Sequence, residues 1–297
     1  MKRAFLLAIV ALLTVASLGQ VSVAQEEGAG PSASFGLDVT THYFFRGIMQ
    51  EDQGFIAMPW GEFGLPIFES DGPIQSLSWT TGVWASLHDE NTGAGGASFD
   101  PNLGQLVPDN GFDDTFYEFD FYTGVSVGFA DAFSFDTVYT SYMSPNNAFK
   151  TIQEIGFGLS VDDAALLGTD LGLNPYFRLV FETADKGGSE DQYAELGVEP
   201  SLTLVESEDA PISVSFPVTV GFSLSDYYVE ANGDEDEFGY ATVGANVSMP
   251  LAMVPEHMGS WEAHAGVDLY FLGNATEAAN NGDDFEVVGT FGVSVSY

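Results

Sequence analysis

No cysteine occurs among the 297 residues, which removes disulfides, thiolate metal sites and a cysteine nucleophile together. Basic residues are almost as scarce. Six lysines and arginines stand against 44 aspartates and glutamates, for a formal charge of −38. Two of the six are Lys2 and Arg3, so Arg46, Lys150, Arg178 and Lys186 carry all the positive charge of the remaining chain. Nucleic-acid binding is excluded on this count, because neutralising phosphates takes lysine and arginine. Long apolar runs are missing too. The only sustained one, Ala4 to Leu13 with a weaker continuation to about Leu18, falls short of the about 20 residues a transmembrane helix needs. Disorder is excluded in turn by 14% aromatic and 45% hydrophobic residues, enough apolar surface to build a fold.

The N-terminus gives the compartment. Met1-Lys2-Arg3, the apolar run and the small residues Ser22-Val23-Ala24 have the layout of a cleavable secretory signal peptide over 1–24. No lipobox cysteine follows it. A short periplasmic segment is expected at 25–34 and a single folded domain at 35–297. With no spanning helix after residue 25, a membrane location requires a closed barrel, the other structure that satisfies its backbone in lipid.

Period-two alternation recurs along the domain, with 34 glycines and clusters of asparagine and aspartate between the alternating runs. Strands are predicted at about 35–46, 55–63, 76–88, 115–129, 133–143, 151–161, 171–182, 192–204, 212–225, 238–249, 260–272 and 284–297. In 260–272, for instance, Trp261, Ala263, Ala265, Val267, Leu269 and Phe271 oppose Glu262, His264, Gly266, Asp268 and Tyr270. The run 55–63 is the weakest, since Pro59 cannot donate to a ladder. Most of these strands exceed the usual globular length of about 5–6 residues and suit a tilted bilayer crossing. Twelve is an even number, as a barrel with both ends on one side of the membrane requires.

The last strand has Phe285, Val287, Phe291, Val293, Val295 and Tyr297 at period two, with small or polar residues between them. An apolar-outward strand ending in an aromatic is how bacterial outer-membrane barrels finish. Aromatics near predicted strand ends, among them Tyr43, Phe45, Tyr117 and Phe119, are expected in interfacial girdles. The fold expected is therefore all-β: a transmembrane antiparallel β-barrel of about twelve strands in an up-and-down meander, in the outer membrane of a Gram-negative bacterium. Its partners are outer-membrane lipid and the barrel-assembly machinery, the latter through the strand ending at Tyr297.

One local motif resembles a known family. Tyr43-Phe44-Phe45-Arg46-Gly47-Ile48-Met49-Gln50 is similar to the Tyr-x-Phe-Arg-Gly-x-x-Gln element of the TorF-like, or Gcw-chp, family of proteobacterial exported proteins. Thr81-Gly82-Val83-Trp84-Ala85-Ser86 is similar to that family's second landmark. Met49 stands where family members commonly carry serine. The resemblance covers about residues 35–90, and it implies an outer-membrane location without implying an activity.

Turning the apolar faces to lipid places Asp38, His42, Arg46, Glu118, Asp120, Arg178, Glu182, Glu262, His264 and Asp268 in the lumen. Acids dominate that set, which favours cations over anions. Tyr122, Tyr176, Tyr270 and Trp84 point inward as well and bear on whether the lumen is open. No catalytic motif is found. None of His42, His88, His257 and His264 is followed at the second position by serine, as in barrel phospholipases. His88-Asp89 facing Asp113-Asp114 only imitates a protease pair. His264 and Asp268, four apart on a strand, are about 13 Å apart and share no ion. No cofactor or metal is expected. Three functions stay open: a narrow passive channel for small solutes or cations, a structural or surface-interaction barrel with a closed lumen, and an exported soluble β-sandwich that binds a ligand.

Overall fold

A computed structural model describes residues 30–89, 97–100, 105–108, 115–169, 171–184, 191–207, 210–230 and 232–297. The signal peptide expected at 1–24 and the Asp113-Asp114 pair lie outside the described residues. The strands are β1 (Ser32–Thr40), β2 (Tyr43–Phe45), β3 (Ile48–Glu51), β4 (Ile56–Glu69), β5 (Ile74–His88), β6 (Ala97–Asp100), β7 (Gln105–Pro108), β8 (Phe116–Phe129), β9 (Phe133–Met143) and β10 (Ile152–Val161), then, after helix α1 (Asp163–Leu167), β11 (Tyr176–Ala184), β12 (Gln192–Val198), β13 (Ser201–Val205), β14 (Ile212–Ser215), β15 (Val218–Ser225), β16 (Phe238–Pro250), β17 (Ser260–Leu272), helix α2 (Asn274–Ala279) and β18 (Phe285–Ser296).

Every wall strand pairs antiparallel with its neighbour in sequence, and β18 pairs with both β17 and β1. The sheet is thus closed into a twelve-stave barrel, which leaves no unpaired edge. Two staves are each built from two strands. β12 and β13 are interrupted at Glu199-Pro200, and β14 and β15 at Phe216-Pro217, because proline withholds its ladder donor. The interruptions lie side by side, the Phe216 amide donating to the Pro200 carbonyl at 2.9 Å.

The exterior is apolar around the ring: Phe35, Leu37, Phe121, Phe157, Val267 and Phe291 are all exposed, on the face that alternation assigns to lipid. The buried set, by contrast, is rich in polar and charged residues, Asp38, Glu118, Asp120, Glu154, Glu195 and His264 among them. Connections 70–73, 130–132, 162–175, 206–211 and 251–259 lie at one end, and the longer ones, 89–115 above all, at the other. In barrels of this kind the long connections face outside. The 130–132 turn is the tightest. Ala130 and Asp131 both take positive φ there, and the Gln75 side chain holds Asp131 in place.

Three expectations are corrected. The first strand starts at Ser32 and leaves the wall after Thr40 instead of running to Arg46. The second extends well beyond 63, to Glu69, and continues through Pro59. Tyr43, Phe45 and Tyr117 do not belong to a lipid-facing girdle, since Tyr43 and Tyr117 are buried and Phe45 packs on the same interior cluster. A bulge opposite Ser86 and Leu87 reverses the facing of Tyr117, as an inserted residue does.

Candidate functional site

Tyr43 to Glu51 leave the wall and fold back on themselves. β2 and β3 form a hairpin whose two central residues are Arg46 and Gly47, with φ of 49° and 78°. Two successive positive φ values make the tight hairpin turn whose twist suits antiparallel strands, and glycine takes the second place at no steric cost. A Cβ at Gly47 would in any case collide with Tyr240 on β16.

This hairpin lies inside the barrel, for its side chains reach staves on every side. Tyr43 packs on Trp84 of β5 at 5.4 Å between ring centroids and donates to Glu118 of β8 at 2.8 Å. Phe44 stacks on Tyr270 of β17 at 4.7 Å. Phe45 meets Tyr142 of β9 edge to face at 5.2 Å. Arg46 donates through both terminal nitrogens to Glu154 of β10, each at 2.8 Å, and its guanidinium lies 4.5 Å from the centroid of the Tyr193 ring of β12. From the outer connection 226–237, Tyr227 accepts a further bond from Arg46 at 3.0 Å, and Tyr228 donates to the Arg46 carbonyl at 2.7 Å. Burial raises both of these loop hydroxyls above the ordinary tyrosine value, so both stay protonated. Gln50 accepts from Tyr117, which in turn stacks on His88 at 4.7 Å. Two apolar clusters, one around Phe44, Tyr193, Tyr240 and Tyr270 and the other around Tyr43, Ile56, Met58 and Trp84, fill the remaining space. The outer half of the lumen is stoppered.

The inner half differs. Glu62, Asp136, Arg178, Glu199, Glu262 and Asp268 face inward there and stay partly exposed, whereas Glu118, Asp120, Glu154 and Glu195 of the stoppered half are buried. Its aromatic rings lie flat along the wall. Trp60 covers Gly36, Tyr122 covers Gly82 and Tyr176 covers Gly197, each glycine on the adjoining stave, and a Cβ at any of the three would run into the ring above it. Glycine thus makes room for the ring beside the strand. Polar anchors fix the rings: Trp60 donates to Asp38 at 3.0 Å, Tyr122 donates to Glu62 at 3.0 Å, and the Tyr176 and Thr219 hydroxyls are 2.9 Å apart.

Eight of the ten residues expected to line the lumen fall into three groups. Arg46, Glu118 and Asp120 come together around the stopper. Asp38 and His264 form a pair in the inner half, with His264 Nε2 at 2.5 Å from Asp38 Oδ1. Arg178 sits 3.9 Å from Glu195, and Glu262 and Asp268 line the same partly exposed surface. Glu182 is at the outer end of β11, where its amide bonds the Asp191 carbonyl. His42 is in the turn after β1, its ring nitrogen 3.0 Å from the Thr41 hydroxyl, and not on a wall stave. Glu154, which alternation also turns inward, is the carboxylate that holds Arg46, and Tyr142 is a neighbour of Arg46 that sequence reasoning missed. No group of three or more His, Cys, Asp or Glu side chains among the described residues has the arrangement of a metal site.

No family model and no curated protein matches the sequence. Solved structures similar in general form include an outer-membrane channel from Pseudomonas putida F1 (TM-score 0.47, 8% identity, 91% of this chain and 96% of that one). The β domain of a Bordetella autotransporter (0.43, 10%, 90% and 98%) and the NanC porin (0.42, 13%, 90% and 99%) are others. Likeness at this level is of barrel form only, and the activities of those proteins do not transfer with it.

Proposed function

We propose that the protein is an outer-membrane channel of a Gram-negative bacterium that admits small cationic solutes, closed at rest by its own β2–β3 hairpin. The observation that carries this is the division of the lumen: an inner half lined by partly exposed carboxylates, and an outer half in which wall tyrosines, Tyr227 and Tyr228 close around one inserted hairpin. Carboxylates along the bore concentrate cations and repel anions. The stopper is anchored chiefly by Arg46, and the Tyr43 to Gln50 element that resembles the TorF-like motif is, on this reading, the stopper itself.

The complete filling of the outer half favours a second reading, a barrel with a permanently closed lumen whose acidic outer connections meet other surfaces. Diffusion potentials across liposomes separate the two. Vesicles carrying protein with Tyr43–Glu51 replaced by a short glycine-serine link should become inside-positive, read by an anionic potential-sensitive dye, when a small quaternary ammonium salt of an impermeant anion is added outside. They should stay silent with the matching salt of a small sulfonate and an impermeant cation. Absence of a potential in both, from protein shown to be inserted, would leave the closed-barrel reading.

A further inference from the structure

The stoppered half of the lumen has more buried negative charge than its side chains balance. Five carboxylates, Glu51, Glu118, Asp120, Glu154 and Glu195, are buried there, with Arg46 as the buried guanidinium. A buried ion without a partner costs several kcal/mol, so each must be matched. Glu154 is taken by Arg46 at 2.8 Å. Glu195 faces Arg178 at 3.9 Å and accepts from Tyr193 at 2.6 Å. Glu51 accepts from the amides of Asp52 and Gln53 at 2.9 and 2.8 Å. Glu118 and Asp120 remain.

These two stand two residues apart on β8, on one face, with their carboxyl groups within hydrogen-bond reach of each other. Glu118 accepts from the Tyr43 hydroxyl. Asp120 is fully buried, and neither of its oxygens accepts a bond from any donor among the described residues. Trp84, its direct cross-strand neighbour, also has its indole N–H unpartnered. A proton shared between the two carboxyls would serve one Asp120 oxygen and leave the other bare. A cation bound by both oxygens serves the two at once, and a charge of two matches the two carboxylates.

We propose that a divalent cation of the calcium class binds between Glu118 and Asp120, with Asp120 bidentate. Carboxylate, hydroxyl and water oxygens are the ligands such an ion takes. Through Glu118 and the Tyr43 hydroxyl it ties the first strand of the hairpin to the wall, two staves along from the Glu154 that anchors Arg46. The binding does not depend on conduction and is read without it.

Terbium is the probe, because Trp84 lies next to the site and can sensitise its emission. The whole chain is refolded in detergent, titrated with Tb3+ under tryptophan excitation, and then challenged with Ca2+. A saturable emission displaced by Ca2+ is expected. Trp84→Phe should remove most of it, and Asp120→Asn and Glu118→Gln should each raise the half-saturating concentration by about tenfold or more. Emission equal in Trp84→Phe and both carboxylate variants would place the ion on the outer acidic connections and overturn the site. So would the lack of any saturable emission, which would leave a proton as the partner of the pair. Glu118→Gln retains a folded reference should Asp120→Asn fail to refold.

Discussion

Arg46 and Glu154 are 108 positions apart in sequence and meet through two parallel bonds of 2.8 Å. That contact joins the tip of an inserted hairpin to the barrel wall in a buried setting, where loss of one partner strands the charge of the other. Glu154→Ala should therefore lower stability by about 3–5 kcal/mol, read as a shift of the urea midpoint for the membrane-inserted protein. Arg46→Lys should also be destabilised, because an ammonium cannot reproduce the two-pronged contact or the stacking on Tyr193. Equal midpoints for Arg46→Lys and the parent chain would show that the fork geometry contributes nothing.

Flat rings over glycines give a matched pair of substitutions. A methyl group at Gly82 would overlap the Tyr122 ring, while one at Gly156 finds its nearest neighbour at 3.8 Å, an ordinary contact. Gly82→Ala should cost about 1–3 kcal/mol and turn Tyr122 toward the bore, and Gly156→Ala should change little. Thermal or urea unfolding of the two variants side by side checks this, with similar losses in both counting against the ring-on-glycine arrangement.

Neighbours on opposite faces of β17 test which side meets lipid. Val267 is exposed on the outer face, and Asp268 points inward over Gly244. Val267→Arg should cost about 2–4 kcal/mol if it sits near the bilayer midplane. Asp268→Asn should insert normally and reduce the preference for cations once the stopper is removed. Normal insertion and stability of Val267→Arg would contradict a lipid-facing Val267.

At the inner rim, the half-buried Asp163 carboxylate accepts from the Leu173 amide at 3.0 Å and the Asn174 amide at 2.7 Å. These backbone bonds hold its pKa below the ordinary aspartate value. A depressed carboxylate stabilises the turn above its unfolded pKa, and the contribution is lost as pH falls through the folded one. Hydrogen exchange at the Leu173 and Asn174 amides should thus gain relative to neighbouring amides only below the usual aspartate range. Asp163→Asn should show the faster relative exchange already at neutral pH.

The wall was readable from sequence because one residue in two must face lipid. The alternation of 260–272 therefore placed His264 and Asp268 inward without any knowledge of contacts. The stopper was not readable in the same way. Tyr43, Phe44 and Phe45 look like the apolar end of a strand, and no period distinguishes an aromatic facing lipid from one packed on Trp84 or Tyr270. Arg46-Gly47 did hold a local signal, a glycine at the second place of a two-residue turn between short apolar runs. Tyr117 escaped for another reason. Its facing depends on a bulge, and a one-residue shift reverses every side chain beyond it.

The most direct measurement is single-channel recording in planar bilayers under a salt gradient, comparing the parent chain with one in which Tyr43–Glu51 is replaced by a short link. A stoppered acidic bore gives a parent that is closed or opens rarely, and a hairpin-less protein with steady steps whose reversal potential favours cations. A parent that conducts as steadily as the hairpin-less protein, or steps that favour anions, would contradict it.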